Sequence, residues 1–396
     1  MLILQHINAL YPLTDSYSFQ IYSSVAQLPP TWDSIAMRTI FLSKAYLGIA
    51  EKSAPTNMHS HFIGIFKQSE LVGVALSQFI NLSDLNSFGE RDAKLKTAIR
   101  NFVFKNLSSK VLVMGNNMLT GQNGYCFTNE LSTADGLSIL RLAAKSLRKI
   151  FLAKGLKTHL TIFKDFSETE IAHASPDDFR SFYKFSTQPN MIFSIREDFK
   201  TFDDYINCLS KKYRDQYKRA RKKADGISKR KLSFEDITKY NSRIYELYMK
   251  VAANAPFNTF YLPENHFEVF KDSLKDQFLF YGYFIQEDLI GFNTLIKNGT
   301  DIDTYFLGYD EQYQRDKMLY LNMLYDMLAY SINKGYQKVI FARTALEIKS
   351  SVGAKPVPMY GLMQHSNAFI NLFIAKTFRY FEPKIEWQQR NPYKEI

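Results

Sequence analysis

The residues best equipped for chemistry stand late in this chain of 396 residues, between positions 303 and 363. A β-rich run at 303–309 leads through polar residues 310–316 into a strongly apolar helix expected over 317–334, stopped by Gly335. A strand feeding a helix through a short polar loop leaves backbone N–H groups at the strand's C-terminal end, where anions such as phosphates are held. Gln314, Arg315 and Lys317 stand at that helix start and suit phosphate contacts; a solvated helix start would carry the same residues. Asp310 and Glu311 are the nearest carboxylates for general-base work, though a turn surface accounts for them equally. Tyr305, Tyr309 and Tyr325 offer hydroxyl donors, with core packing the plainer reading in a chain that has 25 Tyr and 33 Phe. Beyond a short strand at 338–341, Arg343, Glu347 and Lys349 form a polar patch running to Gly353. A helix start explains Glu347 alone. The two cations together with the small residues point to a carboxylate or phosphate ligand.

The elements that must position these residues belong to a globular chain long enough for two domains, with 46% hydrophobic and 22% charged residues. No apolar run reaches the roughly 18 residues of a membrane span, and residues 1–17 have neither the basic start nor the cleavage site of a secretory leader. Cys126 and Cys208 form neither a disulfide framework nor a zinc spacing, so a cytoplasmic protein is expected. His59 and His61 have no third ligand within reach in the sequence, and no metal site is expected. Nucleophile-elbow, Walker and dinucleotide fingerprints are missing, which leaves hydrolase, NTPase and dehydrogenase readings without support. The net charge of +11 is local: residues 211–231 hold eleven Lys/Arg against two Asp, nine of the eleven net charges. A solvated connecting helix is the usual fate of such a run. An electrostatic landing site for an anionic substrate, carrier or lipid surface is the functional alternative. With only Tyr213 and Tyr217 inside it, stacking on single-stranded nucleic acid is not expected.

In order, the sequence predicts a strand at 16–24, a helix at 32–49, a hairpin of 62–66 with 71–79, and a helix at 91–107. A buried strand at 110–114 runs into the Gly/Asn-rich loop 115–124. A helix at 136–153, capped from Ser132, and a strand at 159–163 follow. A basic helix over 198–225 then opens a second run of the same kind. It has helices at 240–251 and 264–274, a hairpin of 278–285 with 289–296, and the stretch described first. Element order repeats although residue identity does not. The fold class is therefore α/β with mixed sheets in two tandem units, 1–195 and 196–396, divided near Arg196.

Three segments carry a family resemblance. Residues 209–220, with Arg214 inside the basic helix, are similar to the opening of the second domain in Fem-type peptidyltransferases. The hairpin, the strand ending at Tyr309 and the following loop and apolar helix resemble the pyrophosphate-binding part of a GNAT acyltransferase. Arg343 to Gly353 is similar to a closing pattern in which a lysine precedes a glycine by four residues, here Lys349 and Gly353. The resemblance implies two tandem GNAT-like domains and transfer of an acyl or aminoacyl group to an amine. The donor it implies is acyl-CoA or acetyl-CoA. It assigns Tyr309, Asp310 and Glu311 to catalysis, Gln314, Arg315 and Lys317 to the donor, and Arg343, Glu347, Lys349 and Arg214 to the substrate. The acceptor would be an amine-bearing small molecule, lipid or peptidoglycan precursor, and the basic helix would meet an anionic carrier, a membrane surface or tRNA. Residues 115–124 could form a second such turn. Two features depart from the pattern: residues 312–318 contain no glycine, and the strand before Asp310 offers no clear carboxylate. The first favours an alternative, a non-catalytic tandem scaffold that binds an anionic ligand. An aminoacyl-tRNA-dependent peptidyltransferase is the second alternative.

Overall fold

The computed structural model describes residues 8–12, 16–83, 108–186, 188–254, 258–381 and 387–394; the helix expected over 91–107 lies outside them. The chain divides into two units. The first comprises Met1–Thr187, Pro256–Pro263 and Pro358–Lys384, and the second Gln188–Ala255, Glu264–Val357 and Ile385–Ile396. The division expected at 195/196 thus gives way to a threaded one, because strand pairing and not chain order decides membership.

In the first unit run β1 (Asn8–Pro12), β2 (Tyr17–Tyr22), β3 (Met58–Lys67), β4 (Glu70–Asn81), β5 (Lys110–Met114), β6 (Tyr125–Phe127), β7 (Leu160–Phe166) and β8 (Tyr183–Ser186). In the second follow β9 (Asn190–Ser194), β10 (Ser228–Lys231), β11 (Phe278–Ile285), β12 (Asp288–Asn298), β13 (Asp301–Tyr309), β14 (Lys338–Ala342) and β15 (Lys355–Val357). The chain then returns to the first sheet as β16 (Tyr360–His365). The first sheet is ordered β1-β2-β3-β4-β5-β7-β16-β8 with β6 on β4, and the second β10-β11-β12-β13-β14-β9-β15. Each sheet therefore seats one strand from a distant part of the sequence between two of its own.

Both cores follow from helix periodicity. Helix α1 (Thr133–Ala153) is capped by Ser132, whose hydroxyl accepts from Asp135 N–H. It buries Leu137, Leu140, Ala144, Leu147 and Phe151 in one cluster with Ile63, Phe79, Leu112 and Phe163 of the first sheet, each large side chain contributing about 1.5–3 kcal/mol. The helix expected over 32–49 is interrupted. Residues Trp32–Ile35 make one turn, two 3₁₀ turns follow, and Ser43 caps a new helix at Lys44–Lys52.

In the second unit the basic helix is two helices, α2 (Phe202–Cys208) and α3 (Lys211–Lys223), because Leu209 and Ser210 are extended between them. Behind them come α4 (Asn241–Ala253), α5 (His266–Leu274), α6 (Glu311–Lys317) and α7 (Leu319–Asn333). Residues 310–316, expected as a turn, are mostly helix α6, and the long apolar helix starts at Leu319. Helix α7 is apolar nearly all round because it shares a core both with the sheet residues Leu295, Ile302 and Val339 and with Tyr205, Tyr213 and Ala220 of α2 and α3.

Cutting the chain at 195/196 leaves residues 1–195 without β16 and residues 196–396 without β9, each an interior strand of its sheet. Neither fragment is expected to show a cooperative thermal transition or native near-ultraviolet circular dichroism, while the intact chain shows both. A fragment 1–195 that unfolds cooperatively by itself would contradict the exchanged pairing.

Candidate functional site

The second sheet opens at one place. Strand β13 runs parallel to β14 only where Asp301, Ile302 and Asp303 face Lys338, Val339 and Ile340. Thr304 Oγ1 then donates to Ile340 O at 3.1 Å, the last clasp between the two strands. Beyond it β13 continues to Tyr309 along β12 alone, and β14 continues along β9. Past Asp303 no residue of β14 is paired opposite β13, and a parting of neighbouring strands is where an α/β sheet can take a ligand. Among the described residues the first sheet has no such parting. There β5 stays paired with β7 from Val111 to Met114. The Gly/Asn-rich loop that follows is held by Lys164, whose ammonium donates to Asn116 O and Leu119 O, both at 2.8 Å, and pairs with Asp165 at 2.8 Å. Gln122 Oε1 takes the Gly124 N–H at 2.7 Å, and a Cβ on Gly124 would lie 2.5 Å from Gly115 Cα. These bonds, with those from Asn117 N–H to Gln78 and from Gly121 N–H to Asp165, tie the loop into the first unit.

Along the open edge β13 carries a bulge. Thr304 faces Leu295 and Leu307 faces Asn293, so three steps on β13 match two on β12, and Thr294 Oγ1 donates to Phe306 O at 2.6 Å. A bulge redirects the side chains at the extra residue. Tyr305, at this point, stacks on Phe270 with centroids 4.8 Å apart, and its hydroxyl lies 3.0 Å from His266 Nε2. His266 is fully buried at the start of α5. Sequence reasoning singled out Tyr305 and missed His266, whose one signal was a lone imidazole at a helix start.

The residues expected to bind the donor do other work. Gln314 Oε1 accepts the Tyr320 N–H at 2.8 Å and so caps α7. Lys317 donates to Asp225 O at 2.9 Å, and Arg315 is 82% exposed beside Glu311 at 3.5 Å. Met318 takes the left-handed conformation, φ 50°, and Asn322 Nδ2 donates to Lys317 O and Met318 O at 3.2 and 3.1 Å. Where a pyrophosphate would need an open row of amides, the chain has placed a short helix and a carboxamide plug.

The expected catalytic carboxylates are likewise engaged. Asp310 caps α6, accepting from Gln312 N–H at 3.2 Å, from Lys250 Nζ at 3.0 Å and from Arg243 Nη2 at 3.3 Å. Burial works to raise its pKa, but the bonds from Lys250, Gln312 and Arg243 outweigh it and hold the carboxyl below the usual range. A carboxylate so held is a poor proton acceptor. Tyr309 is half-buried, and burial raises its hydroxyl pKa. The carboxylate that sequence reasoning passed over is Asp303, the last residue of β13 paired with β14. It is 6% exposed, and desolvation raises it to about 7 against a single hydrogen bond from Asn298 Nδ2 at 3.2 Å.

The expected substrate residues are not brought to one place. Helix α8 (Leu346–Ser351) points Lys349 inward, only 4% exposed. Its Nζ donates to Phe341 O at 2.6 Å, Arg343 O at 2.7 Å and Ala342 O at 3.3 Å. Burial pulls its pKa down to about 7, yet three carbonyl acceptors match the three protons of an ammonium and exceed the two of an amine. These carbonyls belong to a turn in which Ala342, Thr344 and Ala345 all have positive φ, 59°, 70° and 47°, conformations that non-glycine residues adopt only when held. Lys349 is a fastener rather than a ligand. The paired Gly353, at φ 99°, leaves room for the Tyr393 hydroxyl, which any Cβ would strike. Arg343 Nε donates to Gln188 O at 3.1 Å, and Glu347 is bound by Arg390.

Arg214 lies on α3. That helix buries Tyr213 and Ala220, and its Arg221 reaches Asp326 at 2.8 Å and Asn322 at 3.2 Å. Tyr283 donates to the other Asp326 oxygen at 2.9 Å. Lys211, Lys212, Lys218, Arg219, Lys222 and Lys223 remain exposed, and their 3.6-residue spacing gathers them on one face.

Replacing Lys349 with Met leaves three buried carbonyls without a donor and should cost about 3 kcal/mol or more of stability, read by urea unfolding. A variant as stable as the wild type would return Lys349 to the list of ligands. For Asp303 the folded pKa is raised above the unfolded one. The folded state therefore binds the extra proton between about pH 4 and 7, and its stability falls as pH rises through that window. Asp303→Asn should match the wild type in melting temperature near pH 4 and exceed it at pH 8. An unchanged difference across that range would show that the carboxyl is not desolvated.

No protein-family description matches the sequence, and no curated protein matches it either. Solved structures do. FemX superposes with a TM-score of 0.52 at 11% identity, over 89% of this chain and 98% of that chain. A conserved protein of unknown function from Bacteroides thetaiotaomicron gives 0.49 at 9% identity, over 90% and 100% of the two chains. A tandem GNAT protein from the clavulanic acid biosynthesis pathway gives 0.47 at 9% identity, over 89% and 99%. At such identities likeness speaks of fold, and the FemX superposition carries it: the chain has the fold of FemX, here in two α/β units.

Proposed function

We propose that the chain is an acyltransferase that joins an acyl or aminoacyl group, delivered as an ester or thioester, to an amine at the parting of β13 and β14. The observation that carries this reading is the parting of β13 from β14 after Asp303, beside the buried His266 and its half-buried partner Tyr305. An amine attacking the carbonyl forms a C–N bond and places negative charge on the oxygen. Collapse breaks the C–O or C–S bond, and the proton lost by the amine passes to the leaving group. A backbone N–H aimed at the developing oxyanion from the parting would stabilise it. The Tyr305 hydroxyl, backed by the His266 imidazole, suits proton transfer.

The plugged turn at Gln314 and Tyr320 favours a donor whose anionic part is held elsewhere than at the start of α7. The cationic face of α3 suits that task, and an acyl or aminoacyl ester on a polyanionic carrier such as tRNA fits it better than acyl-CoA. An amine-bearing envelope or lipid precursor remains the acceptor class. The same plugged turn also favours the second reading, a scaffold that binds an anionic ligand without catalysis.

The test is to incubate the protein with acetyl-CoA, a long-chain acyl-CoA and aminoacyl-tRNA, each with a panel of amines, and to follow amide formation by mass spectrometry. Amide is expected from the tRNA-borne ester. Tyr305→Phe should lower turnover about 100-fold in a protein that still folds, with a somewhat lower melting temperature because buried His266 loses a partner, and a triple charge reversal at Lys218, Arg219 and Lys222 should raise KM with kcat little changed. Saturable CoA binding that weakens in Arg315→Ala would move the donor back to α6. No amide from any donor would leave the scaffold reading.

A further inference from the structure

After β16 the chain forms two short consecutive helices, Ala368–Leu372 and Ile374–Phe381. Their inner side is pinned. Asn371 Nδ2 donates to Ser181 O at 2.8 Å, and its Oδ1 accepts His365 N–H at 2.7 Å. Ile374 is buried, and Phe378, one turn on, packs against Phe185 and Tyr183 of β8 with centroids 5.1 and 6.1 Å apart. Asn367 caps the first helix through the N–H groups of Phe369 and Ile370. With the inside fixed by these contacts, Phe369, Leu372 and Phe373 point outward, 71%, 77% and 50% exposed, and Lys376 is exposed beside them. Their spacing is that of one helical stripe, three bulky apolar residues followed by a cation. Phe369 and Phe373 hold each other's rings at 5.5 Å. Scattered exposed apolar residues need no explanation, but a stripe of three held outward by a pinned backbone does.

We infer that this stripe is a membrane-surface contact that dips Phe369, Leu372 and Phe373 into the interface of an anionic bilayer, with Lys376 at the headgroups. Two observations select that occupant. From His365 to Phe381 the sequence has Lys376 and Arg379 and no Asp or Glu, so the complementary surface is anionic. Three apolar side chains also fall short of the roughly 20–30 residues a side of a stable protein interface, whereas a few apolar side chains suffice for reversible lipid binding. No described helix is long and apolar enough to cross a bilayer, and the contact proposed lies along the surface. It stands apart from any activity of the second unit.

The test is cosedimentation of the intact protein with vesicles of phosphatidylcholine alone or mixed with phosphatidylglycerol. The wild type should sediment with the mixed vesicles, less with neutral ones, and less again as salt rises. The triple variant Phe369→Ser, Leu372→Ser, Phe373→Ser should bind mixed vesicles at least about tenfold more weakly with an unchanged melting temperature, since all three residues are exposed, and Lys376→Glu should weaken the preference for anionic lipid. Three outcomes overturn the inference. The wild type may fail to sediment with mixed vesicles. The triple variant could bind as well as the wild type, which would put the lipid contact elsewhere, as on α3. Finally, the wild type could self-associate through the stripe in analytical ultracentrifugation while the triple variant stays monomeric.

Discussion

The second unit depends on where β14 ends, and a single buried ammonium sets that point. Lys349 gathers the carbonyls of Phe341, Ala342 and Arg343, which turns the chain through three left-handed non-glycine residues immediately after the strand. The two strands part before that turn: after Ile340, β14 keeps to β9 as far as Ala342, while β13 keeps to β12 with its bulge, where Tyr305 meets His266. The strain of the turn and the desolvation of Lys349 are both unfavourable, and the one set of hydrogen bonds in which both sit offsets them.

Much of the fold was legible because its signals are periodic and local. The β11/β12 hairpin, the capped helix after Ser132 and the apolar helix before Gly335 all stand where hydrophobic spacing puts them. What periodicity does not carry is partnership. Residues 190–194 and 360–365 are short stretches with apolar residues, and nothing in them says that each joins the sheet on the far side of the expected 195/196 division. The site was less legible for a related reason. Asp310, Lys317 and Lys349 have the residue types of a binding site, yet each is used to satisfy backbone groups nearby. Lys349 and Gly353 stand out in the sequence as a pair. Their meaning is a fastened turn and a close approach, which only the contacts reveal.

The missing glycines between 312 and 318 show how one compositional detail passes into function. Glycine would let a loop wrap closely around a ligand. Here the residues instead favour helix, Asp310 supplies the N-cap, and Gln314 reaches the amide that an anion would have used. The same helix α6 brings Lys317 to the end of α3 at Asp225. The bonded start of α7 and the anchoring of the cation-rich α3 are thus two consequences of one local sequence.

The helices after β16 pose the opposite problem, since an amphipathic pattern names two faces without saying which is inside. Residues 369, 372 and 373 are more bulky and aromatic than the pair 374 and 378, so hydrophobicity alone would bury the wrong stripe. The decision falls to polar groups. Asn371 satisfies Ser181 O and the His365 N–H from one side chain, and an amide making two backbone bonds cannot be rotated to solvent without leaving both groups unpaired. Each such loss costs about 1–3 kcal/mol, comparable with the about 1.5–3 kcal/mol from burying one aromatic side chain. Turning the helices over would also surrender the contacts of Ile374 and Phe378. The apolar stripe therefore stays outward as a consequence of bonds made on the opposite side, and its exposure is a fixed property of the folded chain.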